Sequence, residues 1–317
     1  DIARRLVVGP GVQDALRVES DLISSGSSVT IDYVGDVPET SVPERSVPET
    51  SVPERSVDET SVPERSVDEG SVPERSVDEG SVPEGEPPAS TRQGYLDVVR
   101  LVAQAGLAGP GSGGGVDLAV RIGALDADVP PIEQVRAICA AAKDAGVTVT
   151  LQGVQHAEVV SMLAMARELH EEFDSLGATV RAHLHRSELD CAALAAKGAR
   201  VRLSMGMEVA PESVAFTSHL EIDRSYVRCL RSLMAGGAAP TIATHDPRMI
   251  DLAAALAVQW NRSPDSYEYQ LPHGVQAALR QRLLDRGEMV RVRVPYGTAW
   301  YGYLMRRTAE RRRAHRT

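Results

Sequence analysis

Histidines next to β-branched segments are the first residues of this sequence whose types and spacing suit chemistry. His183 and His185 alternate within RAHLHR, and His245-Asp246 follows the run PTIAT. Alternating residues of one strand face the same side, so H-x-H with a further His and Asp is one way to build a metal site that activates water. The same groups also suit hydrogen bonding or cofactor contacts. No acidic residue stands at a neighbouring strand end, which weakens the case for a metal site. We adopt the interpretation without metal ligands and keep a metal-dependent barrel hydrolase as an alternative.

A pair of adjacent arginines, Arg306-Arg307, lies in the segment TAWYGYLMRRTAERRR near the end of the chain. Adjacent residues of a helix point about 100° apart and do not share one face. Near the start of a helix, however, both guanidinium groups can reach one carboxylate through bidentate hydrogen bonds. The alternative is a solvated basic helix end, which is how we interpret residues 311–313.

Short β-branched segments alternate with longer amphipathic segments through most of the chain. The segment 157–174, for example, has apolar residues at three- and four-residue spacing, which indicates a helix. Eight β-then-α units in succession predict an α/β fold, a parallel sheet closed into a (βα)8 TIM-like barrel. The predicted strands are 27–34, 116–125, 147–151, 178–184, 200–205, 240–244, 267–271 and 290–295.

The active site of such a barrel lies at the carboxyl ends of the strands. In this sequence those positions hold arginine, histidine, glutamine and methionine, with almost no carboxylates. The composition predicts a mouth that binds anions. The residues at the predicted strand ends are Arg121, Gln152, His185, Met205, His245, Gln270 and Arg293.

Residues 36–85 form ten related pentads, of which four are SVPER and two are SVDEG. A period of five fits neither helix nor strand, most pentads contain Pro, and one Val per pentad buries too little surface to offset the ordering entropy. We therefore expect residues 36–89 to be a disordered low-complexity insertion in the barrel. Residues 1–35 precede it and contain the first strand, and residues 90–317 form the remainder of the barrel. The pentads account for the whole net charge of −10, so the remainder has no basic field that would mark a nucleic-acid binder.

The composition bounds the class of protein further. Of 317 residues 43% are hydrophobic, which is enough for a barrel core, but no run of eighteen apolar residues suggests a membrane span. The first ten residues lack the apolar region of a signal peptide. Cys139, Cys191 and Cys229 are far apart in sequence and outside any C-x-x-C, which favours reduced thiols. We expect a cytoplasmic protein whose contact with a membrane, at its inner face, is at most peripheral.

The C-terminal motifs resemble those of the proline dehydrogenases. YEYQLPHG (267–274) and VRVRVPYGTAWYGYLMRRTAER (290–311) are similar to the family patterns F-E-x-Q-M-L-Y-G, R-V-Y-V-P-Y-G and W-x-x-Y-x-x-R-R-x-x-E. The similarity continues through TIATHDP, RVRLSMG and VRIGAL, and it covers nearly all of the chain outside the repeat. The resemblance implies a (βα)8 barrel that binds FAD, oxidises L-proline to Δ1-pyrroline-5-carboxylate by hydride transfer to flavin N5, and passes electrons to a membrane quinone.

The resemblance also implies a substrate site. Arg306 and Arg307 match the arginines that clamp the substrate carboxylate, and Tyr303 matches a residue that packs beside them. Arg121 stands where the family has a lysine close to the same carboxylate, so the charge is kept while the shape of the side chain changes.

The implied catalytic and cofactor-binding positions follow from the same match. Arg202 corresponds to the arginine beside flavin N5, and Gln152 occupies the position of a family aspartate at the end of the third strand. The cofactor-binding residues that the resemblance implies are Gly153, Arg181, Met205, Gly206, Met207, Thr244, His245, Gln270 and Glu310.

Several strand-end residues depart from the family pattern. Gln152 replaces an acid, Arg293 replaces a tyrosine that faces the substrate, and residues 204–208 (SMGME) lack a lysine expected to meet the flavin. These departures leave two hypotheses open beside the metal hydrolase. One is a working proline dehydrogenase, and the other is a degenerate family member that binds a carboxylate ligand without redox activity.

Overall fold

A computed structural model describes residues 7–34, 91–107, 115–206 and 210–297. Eight parallel strands pair in chain order, and the last pairs with the first, so the sheet closes into a barrel. This confirms the predicted (βα)8 barrel, while the predicted insertion at 36–89 lies outside the described residues. The strands are β1 (Ser28–Tyr33), β2 (Val116–Arg121), β3 (Thr148–Gln152), β4 (Leu176–Arg181), β5 (Arg200–Ser204), β6 (Ala239–Ala243), β7 (Glu268–Pro272) and β8 (Val290–Tyr296).

A helix precedes the first strand, and a helix follows each strand from β1 to β7. The first helix, α1, packs against β8 and β1, where a helix after the eighth strand packs in a regular barrel. Pro131 and Pro247 each take the first helical position, where a missing N–H costs no hydrogen bond. The helices are α1 (Val12–Ser24), α2 (Thr91–Gln104), α3 (Pro131–Asp144), α4 (Glu158–Leu169), α5 (Ser187–Ala195), α6 (His219–Ala235), α7 (Pro247–Gln259) and α8 (Ala277–Asp285).

Two strands end three or four residues earlier than predicted, and in both cases a local turn is the reason. The predicted strand 116–125 ends at Arg121, because the next three residues form a short 3-10 helix. The predicted strand 178–184 begins earlier, at Leu176, and ends at Arg181. There the N–H of Leu184 donates to the carbonyl of Arg181, which turns the chain towards α5.

The two faces of the strands differ in chemistry. Outward residues such as Val29, Ile31 and Leu118 are buried against the helices and form one continuous apolar core. Inward residues alternate with them, because successive side chains of a strand point to opposite faces, and most of the inward residues are polar. In the described residues, no helix has both the length and the apolar character needed to cross a membrane.

Ion pairs fill the lower part of the barrel interior. Asp117 Oδ1 accepts hydrogen bonds from the hydroxyls of Thr148 (2.8 Å) and Thr150 (2.9 Å), and Arg200 from β5 lies 3.4 Å away. Arg291 Nε donates to Glu268 Oε1 at 2.7 Å. These carboxylates and guanidinium groups neutralise one another inside the barrel, which is what makes so many buried charges tolerable.

Candidate active site

The mouth of the barrel is organised around one carboxylate, Asp32, at the end of β1. Asp32 is fully buried, and its two oxygens accept hydrogen bonds from Arg121 Nη2 (3.1 Å to Oδ1) and Arg293 Nη2 (2.6 Å to Oδ2). Burial by itself raises the pKa of Asp32, but the two guanidinium groups outweigh burial and hold that pKa below its usual value. The three groups therefore carry one net positive charge.

Gln152, at the predicted catalytic position, lies beside this cluster. Its Oε1 accepts a hydrogen bond from Arg293 Nη2 at 2.9 Å, and its side chain is buried. The Nε2 atom has no hydrogen-bond partner among the residues that the structure describes. Gln152 thus helps to hold Arg293, and one buried amide donor remains available to a ligand.

Arg202, the other predicted catalytic residue, belongs to a second chain of hydrogen bonds across the barrel. Arg202 Nε donates to Gln270 Oε1, and Gln270 Nε2 donates in turn to Thr30 Oγ1 at 3.0 Å. These bonds link β5, β7 and β1. They fix the guanidinium group of Arg202 at the centre of the mouth.

A small cavity of about 50 Å3 opens above this chain of hydrogen bonds. Four of the predicted site residues line it, namely Arg202, Thr244, His245 and Gln270, and Arg293 lines it as well. Thr244 Oγ1 accepts a hydrogen bond from the N–H of Asp246, whose carboxylate caps the amino end of α7. The structure therefore brings together residues of β5 and β7 and of the loop after β6, as the predicted site requires.

Other predicted cofactor-binding residues lie at the ends of β3, β4 and β5, and none of them lines this cavity. Arg181 donates to the carbonyl of Val154 at 2.6 Å, and Met205 is half-buried. A Cβ on Gly153 would lie 3.1 Å from that of Glu158, so Gly153 permits the close approach of α4.

Gly206 has a different role from Gly153, because its φ of +71° lies in the left-handed region that favours glycine. A Cβ there would overlap the ring of His183. The strand β5 therefore ends in a turn packed directly on that histidine.

The remaining predicted site residues lie outside the described ranges. Of the substrate-binding set, the structure describes Arg121 alone, and its guanidinium group is already held by Asp32. Its role at the substrate carboxylate remains a prediction. The predicted residues that fall outside the described ranges are Tyr303, Arg306, Arg307, Met207 and Glu310.

The histidines do not form the arrangement that a metal site requires. Because β4 ends at Arg181, His183 and His185 follow the strand and do not share one of its faces, which corrects the sequence-based expectation. His183 is buried, whereas His185 is exposed and packs edge-on against Phe216 with ring centroids 4.5 Å apart. Within the described ranges, no group of three or more His, Cys, Asp or Glu residues is placed to hold a metal ion.

Asp32, the residue that organises the mouth, is not among the site residues predicted from the sequence. The signal was present in the alternation of polar and apolar residues along the strands. Ser28, Thr30 and Asp32 in β1 follow the same period of two as Asp117 and Arg121 in β2. Extending that period to every strand would have placed a carboxylate among the predicted cations.

Comparison with known proteins assigns this barrel to a family. The family model for proline dehydrogenase matches residues 77–316, which is most of the chain. The chain belongs to the proline dehydrogenase family.

Proline dehydrogenase 2 of Bacillus subtilis (strain 168) is a relative in this family, 30% identical over 188 residues, which cover 59% of this chain and 62% of that protein. Proline dehydrogenase of Deinococcus radiodurans is 32% identical over 177 residues, 55% of this chain and 57% of that protein. The match thus spans less than two thirds of these relatives' lengths.

A solved structure shares the fold. The crystal structure of proline utilization A from Bdellovibrio bacteriovorus, inactivated by N-propargylglycine, superposes with a TM-score of 0.74 at 18% identity. The match covers 96% of this chain and 32% of that chain.

The residues around the cavity fit a flavin ring. A flavin presents carbonyl oxygens and ring nitrogens and becomes more electron-rich when it accepts a hydride, so it suits donors and cations. Arg202 and His245 supply such groups, and none of the described residues that line the cavity carries a carboxylate.

Proposed function

We propose that this chain is a proline dehydrogenase that oxidises L-proline to Δ1-pyrroline-5-carboxylate. In this reaction the ring carbon next to nitrogen loses a hydride and the nitrogen loses a proton, which leaves a C=N double bond. FAD, when bound, supplies the hydride acceptor at its N5 atom. The observation that carries the proposal is the cavity in a barrel of this family, where Arg202, His245 and Gln270 converge.

Three residues hold the flavin in this proposal. Arg202, which the family resemblance matches to the arginine beside flavin N5, would hold the cofactor there, and its fixed positive charge would stabilise negative charge on the ring without reorganisation. Thr244 and His245 contact the cofactor from the loop after β6. Gln270 keeps Arg202 in place through the hydrogen bond to its Nε atom.

The substrate site, in the same proposal, lies beside Asp32. The cluster of Asp32, Arg121 and Arg293 has one net positive charge, which attracts a carboxylate to the mouth. Arg306 and Arg307 form the carboxylate clamp with Tyr303 beside them, and β8 ends at Tyr296, ten residues before Arg306. Asp32 therefore acts as a positioning residue that fixes two arginines without contacting the substrate.

The electron acceptor in this proposal is a quinone at the membrane surface. No described helix is built to span a membrane, so contact with the quinone pool would be peripheral. We assign the described residues no role in binding nucleic acid.

A second candidate function is carboxylate binding without redox activity. It is favoured by Gln152 and Arg293, which replace an acidic and an aromatic residue of the family and bond to each other at 2.9 Å. In this arrangement the mouth keeps its positive charge but lacks the anion that would organise the substrate side of the family site.

The visible absorption spectrum of the purified full chain separates the two functions. A flavin spectrum that bleaches when L-proline is added without oxygen supports the dehydrogenase. A protein that stays colourless after incubation with FAD refutes it and favours the second candidate. Arg202→Gln should weaken flavin binding, whereas the matched variant Arg282→Gln, on the exposed side of α8, should leave the spectrum unchanged.

A further inference from the structure

Two cysteines that are 38 positions apart in the sequence lie against each other in the fold. Cys191 in α5 and Cys229 in α6 are both fully buried where the two helices pack together, and their thiol groups lie close enough to interact. Both are free thiols in the structure. They lie between two helices outside the barrel, so the proposed reaction does not use them.

Contacts on both sides of the pair hold the two helices together. Towards the mouth, Arg228 Nε donates to Glu188 Oε2 at 2.8 Å. At the other end, a Cβ on Gly236, just after α6, would lie only 2.7 Å from that of Ala195 in α5, so the helices approach closely there. The thiols are therefore fixed side by side, which is the first requirement for a disulfide.

We propose that Cys191 and Cys229 form a site of reversible oxidation, in which a hydroperoxide converts the two thiols to a disulfide between α5 and α6. The Cys229 thiolate attacks one oxygen of hydrogen peroxide, which gives a sulfenic acid and hydroxide. The Cys191 thiol then attacks the sulfenic sulfur and water leaves. In total, two thiols and one hydrogen peroxide give one disulfide and two waters, and two electrons pass from sulfur to the peroxide.

The surroundings of the pair assign the two roles. Interactions with the Cys191 thiol, and also with the Ser225 hydroxyl one turn earlier on α6, lower the pKa of Cys229 although burial opposes them. The pKa of Cys191 is raised by its interaction with Cys229 and by burial. We therefore assign the attack to Cys229 and the resolving role to Cys191.

Access for a small oxidant comes through α5. This helix has nine residues, and its outer side is open to solvent, where Leu189 is 77% exposed. The thiols therefore lie only one helix below the surface, and local opening of a short helix costs much less than global unfolding.

Peptide mapping of the oxidised full chain tests the proposal. The reduced protein is treated with hydrogen peroxide under native conditions, quenched with catalase, alkylated in denaturant, digested and analysed by mass spectrometry. We expect a linked pair of peptides that contains Cys191 and Cys229, while Cys139 stays alkylated. Dithiothreitol should restore both thiols. Cys139 is a matched control, because it is buried in α3 and burial raises its pKa to about 12.

Thermal unfolding gives a second readout. The disulfide closes a loop of about 40 residues, and the entropy lost by the unfolded chain should raise the midpoint by about 5–10 °C on oxidation. Cys229→Ser and Cys191→Ser should each abolish both the link and the rise. Three alkylatable thiols after oxidation, a sulfinic acid at Cys229 without a link, or an equal rise in midpoint in either serine variant would each overturn the proposal.

Discussion

Glu19 should make the stability of this barrel fall as the pH rises. Its side chain is fully buried on the face of α1 that packs against the barrel, and neither carboxyl oxygen has a partner among the described residues. Burial raises the pKa of Glu19 from 4.5 to about 8. The folded state therefore keeps this proton over a pH range in which the unfolded state releases it.

The sign and size of the effect follow from proton linkage. Between pH 4.5 and 8 the folded state binds one proton more than the unfolded state, so the free energy of unfolding falls by about 1.4 kcal/mol per pH unit. Over the whole interval the loss is at most about 5 kcal/mol, and water entry around the carboxylate should reduce it to roughly 2–4 kcal/mol. The stability that Glu19 contributes is complete below pH 4.5 and lost as the pH passes 8.

Urea unfolding of Glu19→Gln measures this loss directly. The neutral amide does not ionise, so the variant should match the wild type near pH 5 and exceed its free energy of unfolding by about 2–4 kcal/mol at pH 8.5. Asp21→Asn, on the exposed side of the same helix, is the matched control and should leave the pH profile unchanged. If Glu19→Gln keeps the wild-type profile, the carboxyl group is not held neutral in the folded state and the reasoning is wrong.

Three further variants test the proposed site. Arg202→Gln should lower the rate of flavin bleaching by proline about 100-fold, because it removes a cation where negative charge develops. The control Arg282→Gln should keep the wild-type rate. Equal stopped-flow rates for Arg202→Gln and the wild type would exclude a role of Arg202 in stabilising that charge. Asp32→Asn should lower the free energy of unfolding by about 3–5 kcal/mol, since it leaves two buried arginines uncompensated. The pKa of Asp32 is lowered in the folded protein, so Asp32 stabilises the wild type fully above the ordinary aspartate pKa. This stabilisation is lost as the pH falls through the folded-state pKa, and urea unfolding midpoints measured at decreasing pH will show the loss. Arg307→Ala should raise KM for proline by about 30-fold or more, from a loss of about 2–4 kcal/mol, and an unchanged KM, as expected for Arg312→Ala, would show that Arg307 is not the clamp.

The variants at Asp32 and Arg202 should separate stability from cofactor binding. Asp32 is a positioning residue whose loss frees two arginines, so its effect should appear first in unfolding. Arg202 lines the cavity and is only half-buried, so its effect should appear in the flavin spectrum while the barrel stays folded. A variant that moved both readouts equally would indicate that the polar interior acts as one structural unit.

The sequence by itself determined the barrel and much of the content of its mouth. Eight β-branched segments with intervening amphipathic helices leave few other topologies, and the period of two along each strand determines which residues face inward. This is why the strand-end positions and the family motifs are enough to group Arg202, Thr244, His245 and Gln270 in one site.

Only the tertiary structure decided which side chains meet. Asp32 accepts hydrogen bonds from Arg121 and Arg293, which are 89 and 261 positions away in the sequence. Arg121 lies on β2, which pairs with β1, and Arg293 lies on β8, which closure of the barrel places on the other side of β1. In the same way, Cys191 and Cys229 come together through the packing of α5 on α6. Local sequence patterns report the direction of a side chain, but contact between distant residues depends on strand register and barrel closure, which no local pattern encodes.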